Sequence, residues 1–195
     1  MLRHNPTPAE IGTALAASAA MSGDFAGKDM EHVDKSIDVD SPLRAVYNQW
    51  TQFEDFPYFM TGVKTVRQLD PTHVRWHVEV WGKDQVWDAE ITEQVPDERI
   101  SWKSISGPAN AGTVRFEALE PQLTRVRLAM AYEPKGLVEN VGDALGIISA
   151  RVQRTLDDFK KFIERRGGDE TGAWRGRVHD SQTVPGRIPG DKTPR

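Results

Sequence analysis

The sequence predicts an α+β domain in which a curved antiparallel sheet of six to seven strands wraps a long C-terminal helix. Two short helices close one end. Three observations predict this. Between residues 63 and 132, short segments alternate apolar and polar side chains and are separated by Gly-, Pro- or Asp-containing turns. Ahead of them, a helical face of Leu43, Val46, Tyr47 and Trp50 runs into an aromatic stretch broken by Pro57. After them, Leu137, Val141, Leu145, Ile148, Val152, Leu156, Phe159 and Ile163 recur at spacings of 3 and 4, one continuous helical stripe.

Composition narrows the function classes. The 195 residues suffice for one ordinary domain with tails. Lys and Arg total 25 against 29 Asp and Glu, a net charge of −4, so nucleic acid is not an expected partner. Cysteine is absent, which excludes disulfides, thiolate metal sites and cysteine nucleophiles. No apolar run reaches the ~20 residues of a membrane-spanning helix.

Residues 1–29 read as a disordered tail interrupted by Pro6, Pro8, Gly12, Gly23 and Gly27. Ala17-Ser18-Ala19 resembles a cleavage site. Arg3 is the only firm positive charge ahead of a short, weakly apolar run, so a cytoplasmic protein is expected and export is the minor reading. The folded domain spans 30–167. It opens with a strand carrying Val33, Ile37 and Val39, and Ser41-Pro42 reads as a helix N-cap with proline at the first helical position. A second short helix ends near Pro57. Strands follow at 63–69, 72–81 and 86–95, then around Ile100, Val114 and Val126. Pro134 and Gly136 end the sheet. The long helix then runs from acids (Glu139, Asp143) to bases (Lys160, Lys161, Arg165, Arg166), complementing its dipole. Gly142 and Gly146 each cost a helix about 1 kcal/mol. Close packing, room for a ligand, or a kink would account for them. Residues 168–195 read as a mostly disordered tail, in which Trp174 wants a surface.

A helix-grip architecture satisfies these apolar faces, and the gap between sheet and helix becomes a pocket. Val46-Tyr47-Asn48-Gln49-Trp50-Thr51-Gln52-Phe53-Glu54-Asp55-Phe56-Pro57-Tyr58-Phe59-Met60 resembles the helix-pair signature of bacterial cyclase/dehydrase proteins. So do Trp87-Asp88-Ala89-Glu90-Ile91, Pro96-Asp97-Glu98-Arg99-Ile100-Ser101-Trp102 and Gly112-Thr113-Val114-Arg115-Phe116. The chain thus resembles the START-like (SRPBCC) superfamily, in its polyketide cyclase/dehydrase and coenzyme-Q-binding START branch. The resemblance covers about residues 30–166 and touches Glu170 to Arg175. It implies a cavity for a hydrophobic ligand and only in some members catalysis.

The expected pocket draws Trp50, Phe53, Phe56 and Phe59 from the short helices. From the strands it takes Trp76, Val78, Trp87, Ala89, Trp102, Phe116, Met130 and Tyr132, and from the long helix Val141, Leu145 and Ile148. The competing reading of any one aromatic is an ordinary core residue. His73 and His77 share a strand face, but Arg75 stands between them, so no metal site is expected. Asp88 and Glu90 read as cross-strand ion-pair partners rather than an acid/base pair. Tyr132 and Glu54 are weak catalytic candidates, and no serine–histidine–acid set, phosphate loop or dinucleotide fingerprint is present.

The leading expectation is binding of a lipid, quinone or polyketide-like molecule without chemistry and without a cofactor. An aromatase/cyclase or dehydratase is the second reading. The third is a stress- or envelope-associated interaction module, in which the lid aromatics Phe56 to Met60 or Trp174 touch a membrane surface or a protein partner.

Overall fold

A computed structural model describes residues 29–80, 82–134, 144–167 and 172–184. The elements are β1 (Glu31–Val39), α1 (Leu43–Trp50), a 3-10 helix (Phe53–Tyr58), β2 (Val63–Gln68), β3 (His73–Val80) and β4 (Lys83–Val95). Then come β5 (Arg99–Ser104), β6 (Asn110–Glu120), β7 (Leu123–Tyr132), α2 (Ala144–Arg165), β8 (Arg177–His179) and β9 (Gln182–Val184). Seven strands form an antiparallel path in the order β1-β7-β6-β5-β4-β3-β2. The first strand therefore pairs with the last of the meander, and the sheet's inner face and α2 share one core.

The outer face is laced by ion pairs across neighbouring strands. Arg75 grips Asp88 through Nε and Nη2 at 2.7 and 2.9 Å. Arg125 holds Asp38, and Arg127 holds Asp34, in the same manner. Such exposed pairs set register more than they stabilise.

The structure departs from the sequence reading in three places. Pro42 itself is the N-cap of α1, with no side-chain cap bond, so Ser41 is not the cap. Instead the Ser41 carbonyl accepts the hydroxyl of fully buried Thr124 at 2.8 Å. A register shift between Ile91 and Glu93 breaks the alternation in β4, and Gln94 rather than Val95 turns inward. Gln94 donates to the Tyr47 hydroxyl at 2.9 Å, which satisfies both buried groups. Third, residues 172–184 of the segment read as a mostly disordered tail include the hairpin β8–β9. Here β4 runs beyond the end of β3, and β8 pairs with Glu93 and Gln94 on that uncovered edge. Val178 is buried beneath the hairpin.

Arg175 fastens this extension. Its Nη1 donates to Asn48 Oδ1 at 2.5 Å, its Nη2 to Asp97, and its guanidinium lies 5.5 Å from the Tyr47 ring centre. Trp174 remains partly exposed and lies against Gly176. Leu137, Val141, Gly142, Gly136 and Ala17-Ser18-Ala19 fall outside the described residues. Gly146 is exposed, and a Cβ there would meet nothing, so close packing is not its reason.

Phe159 is fully buried, with its ring centre 4.8 Å from that of Trp50 and 5.2 Å from that of Phe59. Replacing it, Phe159→Ala, should cost about 3–5 kcal/mol in urea unfolding, and a loss below about 1 kcal/mol would show that this contact does not anchor α2. Burial pushes the Tyr47 phenol up to about 12, above its ordinary value, outweighing the lowering by its Gln94 bond. The folded state thus holds this proton more tightly than the unfolded chain. Stability from this group is complete below about pH 10 and falls as pH rises toward 12. Tyr47→Phe should flatten that decline, and an unchanged alkaline limb would contradict the assignment.

Candidate functional site

Pleating sends Val74, Trp76, Val78 and Val80 of β3 to the inner face, where Val74 stands opposite Ala89 of β4. Trp76 and Trp87 are direct cross-strand partners whose rings stack at 5.9 Å and 5°. Trp102 of β5 lies flat over Gly112 of β6. A Cβ at Gly112 would come within 2.2 Å of the indole, so only glycine leaves room. These three tryptophans line a cavity of about 210 Å3 between the sheet and the N-terminal half of α2.

The helix completes the wall with Ile148, Arg151, Val152 and Thr155. Trp50, Phe53 and Phe56 close the end nearest α1, and Leu128 and Met130 come from β7. Trp102 and Asn110 engage each other at the margin. The Trp102 indole donates to Asn110 Oδ1 at 3.3 Å, and Asn110 Nδ2 donates to the Pro108 carbonyl at 2.9 Å. Among the described lining residues, Arg151 is the only ionisable one.

Ten of the sequence-predicted site residues meet here: Trp50, Phe53, Phe56, Trp76, Val78, Trp87, Ala89, Trp102, Met130 and Ile148. Others do not. Phe59 packs between Phe56, Phe159 and Phe162. Phe116 packs on Tyr47 and Trp50, outside the cavity wall. Alternation alone does not tell an inward residue beneath α1 from one beneath the cavity. Val141 and the Leu145 side chain lie outside the described residues.

Both weak catalytic candidates stand apart from the cavity. Glu54 is exposed on the 3-10 helix. Tyr132 is fully buried beside β1, its hydroxyl has no hydrogen-bond partner among the described residues, and burial, then the Glu31 charge, raises its pKa. The lid reading also changes. Phe56 and Phe59 are core residues, and Tyr58, 75% exposed, is the aromatic of that segment that projects outward. His73 pairs with Asp70, and His77 with Asp84.

The sequence-predicted set lacks twelve of the lining residues: apolar neighbours such as Val74, Ile91, Leu128 and Val152, and also Thr61, Val63, Thr155 and Arg151. Arg151 sits three residues beyond Ile148, next to the apolar stripe, and that offset was its only signal.

No helix among the described residues is long and apolar enough to cross a membrane. The fold matches solved structures of low sequence identity. An aromatase/cyclase, Zhui, from Streptomyces sp. R1128 is 20% identical with a TM-score of 0.59, covering 72% of this chain and 98% of that one. A START superfamily protein from Mycobacterium smegmatis is 18% identical with a TM-score of 0.56, covering 69% and 95%. These likenesses show the START-like helix-grip fold. An uncharacterized 17.2 kDa protein from the melC2-rnhH intergenic region of Streptomyces lincolnensis is 47% identical over 150 residues, 76% of this chain and 99% of that protein. The model of the family described as polyketide cyclase / dehydrase and lipid transport matches residues 39–161, and the chain belongs to that family.

Proposed function

We propose that this protein binds a hydrophobic small molecule, of lipid, quinone or polyketide type, in the cavity between sheet and α2, and acts as carrier or sensor without chemistry. The observation that carries this reading is the wall itself: four tryptophans, Phe53, Phe56 and a ring of aliphatic side chains lining about 210 Å3. An apolar cavity of about 150 Å3 already holds a benzene ring, so this one has room for a fused bicycle or a short acyl chain. Burying such a surface supplies roughly 25 cal/mol per Å2, and flat indoles favour a planar guest.

The absence of reaction is part of the proposal. Acid/base catalysis needs a titrating group within hydrogen-bond reach of the bound molecule. Arg151 stays protonated near neutral pH and cannot serve as a base there. Tyr132 and Glu54 lie outside the wall. Family membership supports a ligand-binding fold and leaves this ligand to experiment.

Ala89 is 2% exposed and faces the cavity from the centre of β4. In a panel of lipids, quinones and polyketide aromatics followed by tryptophan fluorescence, the wild-type protein should bind at least one class. Ala89→Trp should lose that binding with its circular dichroism unchanged, and Tyr132→Phe should retain it. Failure of the wild-type protein to bind any member would overturn the reading. Turnover of a bound polyketide that disappears in Tyr132→Phe would replace it with an enzyme.

A further inference from the structure

Arg151 is out of place in a carbon-lined wall. Its guanidinium is held in position: Nη2 donates to the Thr61 carbonyl at 3.1 Å and to the Glu79 carbonyl at 2.9 Å. The seat is shaped for it. Gly62 lies beneath the guanidinium at φ +87°, and a Cβ there would fall 1.9 Å from Arg151 Nη2. The loop between the 3-10 helix and β2 therefore excludes a side chain where this cation rests.

The seat satisfies hydrogen bonds without neutralising charge. Carbonyl oxygens carry only partial charge, and both recorded bonds use one nitrogen. Of the five N–H donors of a guanidinium, the three on Nε and Nη1 make no bond to the described residues. The neighbouring carboxylate, Glu79, is turned to Lys64 at 3.0 Å. Burial pulls the Arg151 pKa below its ordinary value, outweighing the opposite pull of Glu79. Arg151 thus combines a fixed position, donors that the described residues leave unused and a charge that no described carboxylate contacts directly, at the edge of an apolar cavity. An anion placed there would form charge-assisted hydrogen bonds, roughly twice as strong as neutral ones.

We propose that the cavity selects amphipathic anions, an apolar body among the tryptophans and a carboxylate or comparable acidic group on Arg151. This rests on the binding reading above and names the ligand class for the same site.

Matched pairs test it: 2-naphthoate against 2-naphthamide, and decanoate against decanamide, titrated calorimetrically into the full chain at neutral pH. In at least one pair the acid should bind tenfold or more tightly than its amide. Arg151→Met should reduce that ratio to about one while the amide's affinity stays within about threefold. Arg151→Lys, which keeps the charge, should retain a preference and guards against a misfolded methionine variant. Equal binding of acid and amide to the wild-type protein would overturn this inference and leave the apolar cavity standing. A preference that persists in Arg151→Met would assign the anion to another group and also overturn it. Binding of neither member of either pair would count against the underlying binding reading and remove the inference with it.

Discussion

One aromatic cluster decides where this molecule is solid and where it is hollow. Trp50, Phe56, Phe59 and Phe159 meet edge to face, with ring centres 4.8 to 5.9 Å apart along the recorded contacts. The cluster ties α1 and the 3-10 helix to the C-terminal half of α2. Toward its N-terminal half the helix meets no such cluster among the described residues. Ile148, Arg151, Val152 and Thr155 face open volume there, and Trp76, Trp87 and Trp102 line it from the sheet. Packed interiors resist collapse because each side chain is already seated in its rotamer, so the gap persists as a property of the scaffold.

Two devices hold the geometry from outside. On the convex face, paired arginines and carboxylates keep the strands in register. On the long strand β4, the bulge turns Gln94 inward, β8 covers the edge that β4 extends beyond the end of β3, and Arg175 fastens the segment to Asn48 and Asp97. The cavity thus lies within a frame held by ion pairs and hydrogen bonds, and Arg151 is the one ionisable residue among its described lining.

Much of this was legible in the sequence because period-2 and period-3.6 patterns report directly on which face is buried. Trp76, Trp87, Ala89 and Trp102 were placed on the inner face by alternation alone, and the structure brings all four to the cavity. Depth along the groove was not legible. Phe59 and Phe116 carry the same inward signature as Phe56 and Trp102, yet they pack under the helices. The β4 bulge shifted Gln94 inward without a glycine to announce it. The β8–β9 hairpin was hidden because its strands are three residues long and, apart from Val178 and Val184, polar. Arg151 was missed because a cation beside an apolar stripe ordinarily reaches for water.

The central claim is that the hollow half of the domain exists to hold an apolar guest. Native mass spectrometry of the protein, purified gently from its own host and followed by denaturing extraction, tests it most directly. The account predicts a stoichiometric small-molecule adduct that is released on unfolding and carries an apolar body. A clean apo mass, together with no uptake when the protein is incubated with the host's extracted lipids and quinones, would contradict it.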